Sequence, residues 1–127
     1  MKKLAAAALV TVLGASSTFA FDHLKSITEF EKTIQKGSFI VDFYATWCNP
    51  CKEMEQNLIK LDAKSRGIKI YKVNIEKSEA LVAKYGTPQV PALLYIKDGK
   101  ILDGYVGLKQ MEELERDMKT YFQNPKS

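Results

Sequence analysis

Apolar positions in this chain change their period several times, and the changes mark out the elements. Residues 26–37, SITEFEKTIQKG, carry Ile27, Phe30 and Ile34 at helical spacing. Thr28 with Glu31 three residues on has the form of a capping box, and Gly37 is a natural stop. The next run, SFIVDFYA at 38–45, is apolar on both faces except at Asp42. That pattern predicts a central, parallel strand. Pro50 opens a helix that reaches about Ser65, with Met54, Leu58 and Leu61 spaced by four and three. GIKIYKVNIE at 67–76 is a second β-rich run. SEALVAKYG at 78–86 predicts a short helix with Ser78 as N-cap and Gly86 as stop. PALLYIKDGKILDGYVG at 91–107 predicts two strands joined at Asp98-Gly99. LKQMEELERDMKTYF at 108–122 has an apolar stripe of Leu108, Met111, Leu114, Met118 and Tyr121. At that spacing the methionines read as core, and the closing QNPKS as a frayed tail.

The order is α-β-α-β-α-β-β-α. Strand–helix–strand crossovers need parallel neighbours, and the closing hairpin adds antiparallel ones. The expected class is α/β, a mixed central sheet with helices on both faces. No repeat, linker or low-complexity segment interrupts it.

The first 20 residues do not fit that scheme. MKKLAAAALVTVLGASSTFA has Lys2 and Lys3, then an apolar run from Leu4 to Leu13, then Thr18-Phe19-Ala20. This is the layout of a secretory signal peptide cut after Ala20. An uncleaved anchor is the alternative, although Gly14, Ser16, Ser17 and Thr18 make the second half small and polar. Residues 1–20 are therefore read as a signal peptide and 21–127 as one domain, periplasmic or secreted. Without Lys2 and Lys3 the 19 basic side chains become 17 against 15 acidic ones, a net charge of +2. Lys and Glu are interleaved, with no basic stripe, so no nucleic-acid partner is expected.

Export sharpens the question of the two cysteines, Cys48 and Cys51, which lie together in WCNPC. Outside the cytoplasm thiols tend to pair. A bridge across so short a loop adds little stability, however, so a structural staple explains them poorly. A zinc site needs about four ligands, and His23 is the only histidine. A copper or zinc half-site shared between chains stays open. Cys48 falls where the strand ends and the helix begins. Free N–H groups and the positive helix end there stabilise a thiolate, and Cys-X-X-Cys thiols at such corners have pKa values lowered to about 3.5–7.5. Three residues on, Cys51 faces the same way. Cys48, at the exposed end, then attacks a substrate disulfide and Cys51 resolves the mixed disulfide. Asp42, alone in an apolar strand, reads as a proton acceptor for Cys51 or as an inert carboxylate at the sheet rim. Lys72 in the neighbouring run reads as its partner or as a snorkelling surface lysine.

These segments resemble the thioredoxin family. FIVDFYATWCNPCKEME is similar to its active-site segment, YKVNIE to the strand carrying a lysine near the buried aspartate, and YGTPQVPALLYIKDGK to the segment with a cis-proline. GYVG resembles the closing V-G. The resemblance implies a thioredoxin-like three-layer fold and a thiol–disulfide oxidoreductase without cofactor or metal. It implies Cys48 as nucleophile, Cys51 as resolving thiol, Asp42 as buried acid/base with Lys72 near it, and a redox disulfide Cys48–Cys51. Pro91 is implied as the cis-proline facing that pair. Trp47, Asn49, Pro50, Val90 and Gly107 are implied as the surface that meets substrate, with the Val90 backbone pairing to it as a short strand. Departures stand out. Asn49 replaces a glycine, Ala92 a threonine, and Gln56 a helix-kinking proline, so this helix is expected to run straighter. The family's first strand is reduced to about Phe21 to Leu24.

The expected function is a monomeric periplasmic reductant of client-protein disulfides, supplied by a membrane electron-donor or acceptor protein. The segment between Tyr71 and Pro91 is too short for the helical insertion of the large periplasmic disulfide oxidants. The chain also lacks the extra segment typical of dedicated cytochrome c maturation thioredoxins. Two other readings stay open: an oxidant or isomerase of the same fold, and a non-catalytic binding or copper-handling module.

Overall fold

The computed structural model describes residues 20–65, 67–86 and 89–123. Residues 1–19, most of the expected signal peptide, and the tail from 124 lie outside the described residues, as do positions 66, 87 and 88. Among the described residues no helix is long and apolar enough to cross a membrane.

The chain runs β1 (Asp22–His23), α1 (Ile27–Thr33), β2 (Ser38–Tyr44), α2 (Asn49–Lys64), β3 (Ile68–Asn74), α3 (Glu79–Tyr85), β4 (Ala92–Lys97), β5 (Lys100–Val106) and α4 (Met111–Met118). A π-helical segment, Lys119–Gln123, extends the last helix. The sheet order is β1-β3-β2-β4-β5. β1, β3 and β2 are parallel, and β4 runs antiparallel to both β2 and β5. This is the expected mixed α/β sheet, and the short first strand is present.

The alternation of side chains along β2 separates two cores. Phe39, Val41 and Phe43 pack with Phe30 of α1, with Ile34 just past its end and with Leu81 of α3. Ile40 packs on the other face with Met54, Leu58 and Leu61 of α2 and with Leu114 and Met118 of α4. The methionine stripe is core, as its spacing predicts. Asp42, two residues beyond Ile40, lies on the α2 side of the sheet.

Local chemistry shifts some boundaries. The N-cap of α1 is Ser26, not Thr28. The Ser26 hydroxyl accepts from the Glu29 N–H at 3.1 Å, and Glu29 Oε1 accepts from the Lys25 N–H at 2.8 Å. Glu31 turns away to α3, where it pairs with Lys84 at 2.7 Å and accepts from the Tyr85 hydroxyl. The helix stops at Thr33, and Gly37 (φ +110°) begins the approach to β2. Asp98 and Gly99 both have positive φ, 49° and 82°, the conformation a two-residue hairpin requires. Asp98 Oδ1 also accepts from the Gly37 N–H at 2.8 Å, tying this turn to the start of β2. The last helix starts at Met111, three residues after the expected Leu108. Glu113 accepts from the Gln110 N–H at 2.9 Å and sets that start.

Candidate active site

The site is assembled where β2 hands over to α2. Cys48 is the N-cap of α2, with extended backbone (φ −93°, ψ 110°), and Pro50 stands in the first turn. The Cys51 N–H donates to Cys48 Sγ at 3.1 Å, and the two sulfurs form a disulfide with a Cα–Cα distance of 5.2 Å. The corner and the spacing thus do what the sequence predicts. Exposure does not separate the two thiols, because Cys48 and Cys51 are each 3 % exposed. The sequence places Cys48 at the exposed end. Instead it packs, with Cys51, against Ala45, Tyr44, Ile75 and Val90. What stands open beside it is Trp47, 66 % exposed, flanked by exposed Asn49 and Pro50. α2 continues without a break through Gln56, where the family has proline.

The Val90-Pro91 peptide is cis. Pro91 is buried, Val90 is half-buried, and the Pro91 carbonyl accepts from the Gly107 N–H at 2.7 Å. The structure therefore gathers Cys48, Cys51 and Val90 into one cluster and bonds Pro91 to Gly107 beside β4.

Asp42 is fully buried, so the reading of a carboxylate at the sheet rim is ruled out. Neither of its oxygens has a hydrogen-bond partner among the described residues. Burial pushes its pKa from 3.8 up to about 7; Lys72 opposes the rise and Glu55 adds to it. Lys72 is the direct neighbour of Asp42 across β2 and β3. It is also buried, at 4 %, so it is not a snorkelling surface lysine. Its ammonium does not bond Asp42. It donates to Glu55 Oε1 of α2 at 2.6 Å and lies 4.1 Å from the centre of the Tyr44 ring. The Tyr44 hydroxyl meets His23 Nε2 at 2.6 Å. The His23 pKa is lowered, first by burial and then by Lys72.

Sequence reasoning missed Glu55 and Tyr44 and weighed His23 only as a metal ligand. One signal for Glu55 was present. It stands four residues after Cys51, so one helical turn places both on the same stripe of α2.

The thioredoxin family profile matches residues 23–120. The thioredoxin of Chlamydia caviae is 40 % identical over 91 residues, covering 72 % of this chain and 89 % of that one. The thioredoxin of Bacillus subtilis is 34 % identical over 87 residues, covering 68 % and 84 %. Among solved structures, mitochondrial thioredoxin 3 of Saccharomyces cerevisiae in its oxidised form superposes with a TM-score of 0.74 at 28 % identity. It covers 80 % of this chain and 95 % of its own. Fasciola hepatica thioredoxin gives 0.73 at 29 % identity, with 80 % and 99 % covered.

Proposed function

The chain belongs to the thioredoxin family and is a protein thiol–disulfide oxidoreductase, and from that premise we propose that it works as an exported reductant of disulfides in other proteins. The observation that carries the reading is Cys48 at the N-cap of α2, bonded to Cys51 and holding the Cys51 N–H on its sulfur at 3.1 Å. In the reduced chain that N–H and the helix N-terminus stabilise a Cys48 thiolate. The thiolate attacks one sulfur of the substrate disulfide. A Cys48–substrate disulfide forms and the first substrate thiolate leaves. Cys51 then gives its proton to the Asp42 carboxylate, and its sulfur attacks Cys48. The Cys48–Cys51 disulfide closes and the second substrate thiolate leaves. The substrate gains two electrons and the cysteine pair loses them.

Trp47, Asn49, Pro50, Val90 and Gly107 form the surface on which the substrate chain rests in this reading, with the Val90 backbone as a short pairing edge. The direction is supported by the short connection from β3 to β4, which among the described residues holds one helix, the seven-residue α3. Such a connection leaves no room for the inserted helices of the large oxidants. Residues 1–20 direct export and are removed, and the monomeric chain is returned to its dithiol form by a membrane protein that supplies electrons.

The potential of the pair against glutathione tests the direction. A value more oxidising than about −180 mV, that of protein disulfide isomerase, would refute a reductant. N-terminal sequencing of the protein from fractionated cells tests the leader: a chain starting at Phe21 outside the cytoplasm is expected, and a cytoplasmic chain retaining Met1 contradicts it. A Cys51→Ala variant should hold substrates and electron donor as mixed disulfides on Cys48.

A further inference from the structure

One buried ammonium stands between two carboxylates on the α2 side of the sheet. Lys72 faces Asp42 directly in the pairing of β2 with β3. It nevertheless bonds Glu55 at 2.6 Å and leaves both Asp42 oxygens without a partner among the described residues. The choice has a physical reason. The Glu55 side chain is 23 % exposed, so water shares the burden of its charge, whereas Asp42 has no exposure at all. A carboxylate that stays ionised cheaply outcompetes one that does not. The Tyr44 ring, 4.1 Å from the ammonium, holds the lysine from the β2 side, and the Tyr44 hydroxyl is fixed by His23 of β1.

We propose that Glu55 is a positioning residue which, by holding the Lys72 ammonium against α2, withholds a bonded cation from Asp42 and leaves that carboxylate free to take up the Cys51 proton. The inference deepens the reading of Cys51 and Asp42 given above and rests on it. The charged groups that act on Asp42 are Lys72 from β3 and Glu55 from α2. His23 of β1 lies beyond Lys72 in the same row. On the β4 side the register partner is Leu93, which carries no charge. With Glu55 bonded to Lys72, the ammonium acts on Asp42 only through space. Without Glu55, Lys72 is free to bond Asp42 and hold it ionised, and the proton then has a poorer acceptor.

The test is the titration of Asp42 itself, followed by its carboxyl carbon in NMR of the oxidised full-length domain. Glu55→Gln should move the Asp42 midpoint down by about one pH unit or more. The pH midpoint of single-turnover insulin reduction should move down with it. In a Lys72→Met background the same Glu55→Gln change should lose most of its effect, because no ammonium is left to release. An Asp42 midpoint that stays in place in Glu55→Gln overturns the inference. A shift of equal size with and without Lys72 also overturns it, since Glu55 would then act by its own charge. Because the NMR titration needs no substrate, the two readings fail separately. A shifted Asp42 in a chain that reduces no disulfide removes the functional reading and leaves the lysine's placement standing. A fixed Asp42 in an active chain does the reverse.

Discussion

Replacing Asp42 with asparagine removes a charge from a site that has no bonded cation, and the gain should depend on pH in a defined way. In the folded chain Asp42 holds its proton up to about pH 7, against 3.8 for a free aspartate. Below 3.8 the folded and unfolded chains both carry the proton, so it contributes nothing to the pH slope. Between 3.8 and about 7 the folded chain binds one proton more than the unfolded chain. Stability therefore falls as pH rises, by about 1.4 kcal/mol per pH unit and about 4 kcal/mol in all. Above about 7 the loss is complete and the curve flattens. An asparagine amide has almost the shape of the protonated acid and no charge to strand. Asp42→Asn should match the parent chain near pH 4 and exceed it by about 4 kcal/mol at pH 8. At a urea slope of about 2 kcal/mol per molar, that is a midpoint about 2 M higher. The assay is urea unfolding of the disulfide-intact domain at a series of pH values, with the slope checked to be common to both chains. A difference that does not vary with pH, or a variant weaker than the parent at pH 8, would refute the reasoning.

Two further substitutions probe the packing beneath the site. A Cβ on Gly86 would lie 2.6 Å from Cε2 of Phe43, a fully buried ring that would have to shift. Gly86→Ala should cost about 1–3 kcal/mol and lower the thermal midpoint by at least about 4 °C; an unchanged midpoint would contradict this. Leu58 of α2 is fully buried in the cluster beneath the cysteine helix. Leu58→Ala should cost about 2–5 kcal/mol in guanidinium unfolding, and a cost below about 1 kcal/mol would show that α2 settles into the space left.

What the sequence made legible was whatever depended on local pattern. The run SFIVDFYA announced a buried strand because both its faces are apolar, and Asp42 stood out for the same reason. The corner at Cys48 followed from a strand that ends and a proline that begins a helix. Asp98-Gly99 announced its turn because few other dipeptides accept two positive φ values. The misplaced features share a different cause. Thr28 and Ser26 both suit an N-cap, and the choice fell to whichever oxygen met a free N–H. Glu31, expected inside the cap, is drawn across to Lys84 and Tyr85 of α3, a contact between residues more than 50 positions apart. The partner of Lys72 was hidden for the same reason. Strand register gives it Asp42, but the height of α2 above the sheet gives it Glu55, and that height is a property of packing. The exposure of Cys48 likewise depends on Tyr44, Ile75 and Val90 arriving from three places in the chain.

The central claim is that the Cys48–Cys51 pair transfers electrons to protein disulfides with Cys48 making the attack. A single-turnover reaction of the reduced domain with insulin, quenched in acid, alkylated and weighed by mass spectrometry, tests it most directly. The parent chain should lose both thiols as insulin gains two. Cys51→Ala should accumulate a mixed disulfide on Cys48, and Cys48→Ser should transfer nothing. A Cys48→Ser chain that reduces insulin as fast as the parent would contradict the account.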